Sequence, residues 1–264
     1  MGTLPLILLP PSEGKASEGA GGRWQRGIME IDLDDCREQV IAALTKVMKG
    51  SEASRSKLLG VKGKALATAT VADLHVRDHG TMPAIDRYTG VLYDALDHPS
   101  LKAAERKRLD RSVIIFSGLW GLVRPADPIP DYKLKMGASL PGLGKLSTWW
   151  REDLSKSLEA MAEGRRVWNL LPDEHAAAWR PLGDVPQYTV RFLERGPGGS
   201  LKAVSHWNKF LKGALVRFLL ADPSVDRVDL ADWDHPAGYR YRPEMDKPGK
   251  DGATVLSFVR SEDR

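Results

Sequence analysis

Residues 4–15 read LPLILLPPSEGK. Six residues, 4–9, form an apolar run, with Pro5 near its start, that runs into Pro10 and Pro11. That pattern suits a strand buried on both faces, as in a parallel or mixed sheet. Ser12, Glu13, Gly14 and Lys15 follow at once. In open α/β sheets ligands gather outside the carboxyl ends of strands. The segment is therefore one wall of a binding site or a polar turn that ends a strand. It is not a Walker loop, because the first glycine is missing and Ala16 replaces the metal-binding hydroxyl. Ser12, the Gly14 backbone and Lys15 can still grip an anion together.

Working outward, further strands are expected at 113–116 (VIIF), 167–171 (VWNLL), 187–194 (QYTVRFLE), 200–205 (SLKAVS), 227–231 (RVDLA) and 253–259 (ATVLSFV). Gly196-Pro197-Gly198-Gly199 reads as a hairpin turn between two of them. A helix fits 34–49, with Val40, Ile41, Leu44, Val47 and Met48 on one face. Pro83 is expected to open another at its first position, with Ile85, Tyr88, Leu92 and Leu96 on its apolar side and Gly90 in its interior. Helices are also expected at 101–112, from about Ser147 (Trp150, Leu154, Leu158 and Met161 inward), and at 208–220. Residues 118–137, GLWGLVRPADPIPDYKLKMG, read as a long proline-stiffened loop. The expectation is an α/β fold: one domain over 1–264, with a mixed β-sheet flanked by helices and a helix-hairpin-helix insertion at 51–80.

Composition narrows the function. The chain has 264 residues, 42% of them hydrophobic, enough for a sizeable core. Its 39 Lys+Arg against 35 Asp+Glu give a net charge of +4, which permits an anionic partner without demanding one. Cys36 is the single cysteine, so no intramolecular disulfide can form. The six histidines are scattered, no Cys/His cluster has zinc spacing, and no paired-carboxylate helix appears. No metal or cofactor is expected. The N-terminus does not read as a signal peptide, and the myristoylation pattern fails at Leu6. No run approaches the ~18 apolar residues of a membrane span. A cytoplasmic protein without a membrane partner is the expectation.

Four segments can carry chemistry. In LLGVKGKALA, residues 58–67, Gly60-Val61-Lys62-Gly63 is a tight turn before a second helix beginning at Lys64. Glycines let backbone approach a phosphate, and free amides at a helix start favour an anion. The plain alternative is an αα-turn with a glycine cap. In YTGVLYDAL, Tyr88 and Tyr93 point in different directions, so at least one is expected in the core with its hydroxyl paired. The 118–137 loop carries Arg124, Asp127, Asp131, Tyr132, Lys133 and Lys135. There Arg124 offers a planar fork for phosphate, and Asp127 orients it or acts as a base, unless the two merely pin the loop. In SHWNKFLKG, Ser205 ends a strand, and His206 and Asn208 precede a helix whose first turns carry Lys209 and Lys212. If the strands run parallel, Lys15, Arg124 with Lys133, and Lys209 with Lys212 meet at one sheet edge.

LLPPSEGK, YTGVLY, SGLWGLVRPADPIPDYKLKMG and SHWNKFLKG together resemble, in order and along nearly the whole chain, the YaaA peroxide-stress family. The resemblance implies a bacterial cytoplasmic protein with a mixed α/β fold, a basic cleft and a helix-hairpin-helix. It also implies binding to duplex or branched DNA and a role in limiting peroxide damage linked to iron. By position it brings Ser12, Lys15, Tyr88, Arg124, Asp127, Tyr132, Lys133, Asn208, Lys209 and Lys212 to the cleft, and Gly60, Lys62, Gly63 and Lys64 to the hairpin. Family members commonly carry Arg where this chain has Lys133, so bidentate gripping is lost there. The resemblance supports no role for His175. A competing function is a cleft enzyme acting on a nucleotide, a nucleobase or another small anion. In that case Lys209 is the base or nucleophile and Asp127 the general base. An iron or ligand sensor ranks last.

Overall fold

Leu6–Leu9 is a strand with every side chain at most 1% exposed. Full burial of each such Leu or Ile is worth about 1.5–3 kcal/mol, which is why this apolar run seeks the sheet centre. The computed structural model describes all residues except 1–2, 18, 181–182, 184, 197–199, 205–206, 223, 225–226, 234, 236 and 261–264, and the side chains of 227 and 228. The turn residues 197–199 and both Ser205 and His206 therefore lie outside the described residues.

Across the main sheet the strands run Tyr239–Tyr241, Thr254–Arg260, Gln187–Arg195, Val167–Asn169, Leu6–Leu9, Val113–Ser117 and Gly121–Val123. The five inner strands are mutually parallel, while the two outer ones pair antiparallel. Leu201–Ala203 adds antiparallel to Gln187–Arg195, and Lys247–Pro248 to Thr254–Arg260. The sheet is mixed and flanked by helices, as the alternation of elements required.

From Leu6–Leu9 the chain crosses first to Val113–Ser117 on one side, then to Val167–Asn169 on the other. That reversal makes the carboxyl end of Leu6–Leu9 a topological switch point, where neighbouring loops diverge and leave a crevice. PPSEGK begins there.

The helix Asp34–Met48 buries Val40, Ile41, Leu44 and Met48 as its periodicity demands. Two shorter helices follow, Glu52–Leu59 and Gly63–Leu74. Leu146–Trp149 and Arg151–Ala162 bury Leu154 and Leu158. Asn208–Ala221 packs its Leu211, Leu215 and Leu219 inward.

Four local expectations need correction. The helix opened by Pro83 breaks after Ala84–Arg87, and Pro83 caps it from outside. Tyr88 is extended, and Gly90, with φ 100°, sits just before a new helix, Val91–Leu96, rather than inside one. Residues 227–231 form part of a 3-10 helix, Arg227–Asp232, instead of a strand. The 118–137 stretch is not one loop, because Gly121–Val123 turns back beside Val113–Ser117 and Pro128–Ile129 pairs with Met82–Pro83.

Candidate anion site at the carboxyl edge of the sheet

The segment after Leu9 is held by residues 87–89. Ala16 N–H donates to Arg87 O at 2.9 Å, Thr89 N–H donates to Gly14 O at 3.2 Å, and Lys15 bridges antiparallel to Tyr88. Ser12 Oγ accepts from Thr89 N–H at 3.0 Å. Pinned this way, the Lys15 side chain turns over the ring of Tyr132, with Nζ 4.4 Å from its centroid, and donates to Ser12 O at 3.1 Å.

Beneath Lys15 lies a chain of hydroxyls. Tyr132 Oη is 2.7 Å from Ser117 Oγ and 2.8 Å from Tyr88 Oη, and both rings are buried. Ser117 Oγ also accepts the amides of Leu119 and Trp120. With both lone pairs taken, Ser117 must give its proton to Tyr132, which in turn donates to Tyr88. Tyr93 is buried as well, and its hydroxyl donates to Pro10 O at 2.8 Å. Both tyrosines of YTGVLY therefore serve the core.

Residues 132–136 form the opposite wall. Tyr132, Leu134 and Met136 are buried, whereas Lys133 and Lys135 face outward. This period-two alternation in extended backbone throws both lysines to one side. Gly118 makes the arrangement possible. A Cβ there would sit 2.7 Å from Leu134 O and from the Lys135 carbonyl carbon, so only glycine lets the two backbones pass this closely.

Lys15, Lys133, Lys135, Glu13, Ser12 and His175 are among the residues lining a small pocket of about 110 Å³. It adjoins a wider cleft of about 790 Å³, lined by Lys46, Lys57 and others, through the shared residues Lys135 and Glu174. Lys135 pairs with Glu13 at 2.9 Å, and that pairing holds the Glu13 carboxylate below its ordinary range. Lys209, exposed at the start of its helix, is close enough to add to the same effect. Lys15, Lys46, Lys57, Lys133 and Lys135, from four separate segments, therefore line the pocket and cleft.

The enclosed groups titrate unusually. Burial pushes the Lys15 ammonium down to about 8. Burial also pushes the Asp73 carboxyl up to about 8, against the opposing hydrogen bond that its Oδ1 accepts from Lys133 N–H at 2.7 Å. Asp73 Oδ2 is buried without a partner. His175 is held neutral, its pKa lowered to about 4 by burial, and its Nδ1 also lacks a partner. Lys212 donates to Leu170 O at 2.9 Å, and burial lowers it to about 8. It braces the 170–175 turn. Asn208 Oδ1 is buried and unpartnered at the same helix start.

Arg124 and Asp127 are not at this edge. The reversal at Gly121–Val123 carries Arg124 to the amino end of Val113–Ser117, where Nη1 donates to Arg111 O and Nε pairs with Glu30 at 3.2 Å. Asp127 accepts the amides of Glu30 at 3.0 Å and Arg124 at 2.7 Å. Arg37, fully buried, donates to Trp120 O and Leu122 O and clamps the returning strand. The Arg124–Asp127 pair thus pins a turn, and Asp127 is no base for the pocket.

Gly60 adopts φ 69° and closes the turn between Glu52–Leu59 and Gly63–Leu74, with Lys62 and Lys64 exposed. Lys57 of the first helix lines the cleft, and Asp73 of the second lies close enough to Lys15 for the ammonium to act on its titration. Sequence reasoning passed over Asp73, Lys46, Lys57, Glu174 and the site placement of Lys135. The alternation at 132–136 was the available signal for Lys135. Nothing local marked Asp73. Among the described residues no group of three or more His, Cys, Asp or Glu is placed to hold a metal ion. None of the described helices is long and apolar enough to cross a membrane.

Comparison with known proteins identifies relatives along most of the chain. A UPF0246 protein of Streptomyces coelicolor is 40% identical over 252 residues, covering 94% of this chain and 95% of that one. A UPF0246 protein of Corynebacterium efficiens is 38% identical over 224 residues, covering 83% and 86%. One from Roseobacter denitrificans is 35% identical over 177 residues, covering 64% and 68%. The family model described as peroxide stress protein YaaA matches residues 6–245, which include the switch-point strand and every lysine of the cleft. The chain belongs to the peroxide stress protein YaaA family.

Proposed function

We propose that this protein grips the phosphates of duplex or branched DNA in the cytoplasm, as its part in limiting peroxide damage. One observation carries the reading. Lys46, Lys57 and Lys135 line a cleft that shares Lys135 and Glu174 with the neighbouring pocket of Lys15 and Lys133. Such a row of cations suits a polyanion longer than the inner pocket can hold. The exposed Gly60–Lys64 turn, read as the hairpin of a helix-hairpin-helix, supplies a second phosphate contact through its amides, Lys62 and Lys64. Contacts of this kind position a duplex without reading its bases.

Fluorescence anisotropy with a labelled duplex and a four-way junction tests the reading. For about four phosphate contacts, affinity falls roughly 10²-fold between ~50 and ~200 mM salt. Affinity that does not change with salt overturns it.

A second reading, a cleft enzyme for a small anion, is favoured by one feature that phosphate gripping does not use: the enclosed Lys15, Asp73 and tyrosine hydroxyls. Thermal stabilisation by a single metabolite, with none by duplex DNA, selects it.

A further inference from the structure

A phosphate clamp needs exposed, fully charged lysines. Lys15 is a different kind of group. It is only partly exposed, and its Nζ lies against an aromatic face. It has no carboxylate within ion-pairing distance among the described residues, its hydrogen bond being to a backbone carbonyl. It lines a pocket about the size of a sugar ring, and Lys133 and Lys135 line it from the opposite wall. Asp73, fully buried, is close enough that it and Lys15 shift each other's titration, and one of its oxygens is unpartnered. An amine desolvated beside other cations is the arrangement that makes a lysine nucleophilic toward carbonyls.

We propose that Lys15 captures an aldehyde carried next to a phosphate, forming a reversible Schiff base in the inner pocket while Lys133 and Lys135 hold the phosphate. The neutral amine adds to the carbonyl carbon. An N–C bond forms, and the C=O π pair moves to oxygen, which takes up a proton. The carbinolamine then expels that oxygen as water, carrying away both amine protons in total, and an imine remains. No oxidant or reductant takes part. The amine is available because burial holds Lys15 near pH 8 rather than in the ordinary lysine range.

This chemistry has two sources, an abasic deoxyribose within DNA and a free phosphorylated aldehyde. The proposal develops the second reading above and does not require the first. The test incubates the full chain with sodium cyanoborohydride and either glyceraldehyde 3-phosphate or an abasic-site duplex, followed by intact mass and peptide mapping. The expected result is one adduct per chain, on Lys15, in at least one arm, with a rate rising toward pH 8. Labelling falls at least tenfold in Lys15→Arg, whereas the faint background on surface lysines is equal in the two proteins. The wild-type peptide map decides the question even if a variant fails to fold.

Label on the duplex arm alone assigns the abasic sugar, and on the free arm alone a metabolite. An unmodified Lys15 in both arms overturns the proposal. Failure of DNA binding with a Lys15 adduct from the free aldehyde removes the DNA reading and leaves this one standing. DNA binding with no Lys15 adduct does the reverse.

Discussion

Two polar segments leave neighbouring parallel strands, and both carry cations, yet they end at opposite edges of the sheet. Residues 10–15 leave Leu6–Leu9 and stay at its carboxyl end, stitched to 87–89. The chain leaving Val113–Ser117 turns at Gly121, runs back antiparallel to the amino edge, and lodges Arg124 and Asp127 there. Only beyond Pro130 does it return, delivering Tyr132, Lys133 and Lys135 to the pocket. Following a strand is therefore not enough to place a residue at the ligand edge. What decides is whether the next few residues pair backward. Here they do, because Leu122 and Val123 are apolar enough to extend the sheet and a buried Arg37 caps the reversal.

The sharpest way to break that comparison is to remove Asp127. Asp127→Ala strips two backbone amides of their acceptor in a buried place. Each such orphan costs about 1–3 kcal/mol, so urea denaturation is expected to show a loss of roughly 3 kcal/mol. DNA affinity of the folded fraction stays within about twofold, since no phosphate contact is lost. A large change in affinity with stability intact would return Asp127 to the site.

The mirror experiment is Lys133→Ala with Lys135→Ala. Both side chains point outward, so stability changes by less than about 1 kcal/mol. DNA affinity falls about tenfold or more, and the log–log salt slope drops by about 2, one unit for each phosphate contact. An unchanged slope would mean that these lysines touch no phosphate.

Different in kind, because it is spread over pH, is the effect of the enclosed pair. Asp73 has a folded pKa of about 8, far above its ordinary value, so the folded state holds more protons than the unfolded between about pH 4 and 8. Its contribution is present in full below that window and is lost as pH rises through 8. Lys15, depressed to about 8, acts in the opposite sense above that point, where its penalty fades as pH rises toward 10.5. Stability of Asp73→Asn relative to the native chain should therefore rise with pH between 4 and 8 and level off beyond. The slope is at most about 1.4 kcal/mol per pH unit, the limit for one proton. A difference independent of pH would show that Asp73 is not a buried acid.

Much of the fold is legible in the sequence. The apolar runs at 4–9, 113–116 and 253–259 had one plausible fate, and the mixed sheet followed from them. Lys15 stays at the carboxyl end of its strand because Pro10 and Pro11 leave the segment little room to wander. Arg124 was misplaced because periodicity cannot separate a three-residue return strand from a loop. Gly90 was misread because a glycine of positive φ looks the same in sequence as one inside a helix. Asp73 was invisible because its partner is an amide 60 residues away. Long-range backbone contacts leave no local mark.

The smallest effect sharpens the role of the helix pair. Gly60 has φ 69°, and a Cβ there would meet nothing within 4 Å, so Gly60→Ala is limited by backbone strain alone. A non-glycine residue held in that region costs about 1 kcal/mol. Chemical denaturation should show that loss and little more. If the turn is a phosphate contact, straining it also misdirects the amides that begin Gly63–Leu74, and duplex affinity drops severalfold with an unaltered salt slope. Lys62→Ala, by contrast, removes charge while sparing the backbone, so its affinity loss comes with a slope lower by about 1. Seeing both patterns would put the turn on DNA through amide and cation alike. If neither substitution changes affinity, the turn is an ordinary glycine-capped link between two helices, and the cleft lysines bind alone.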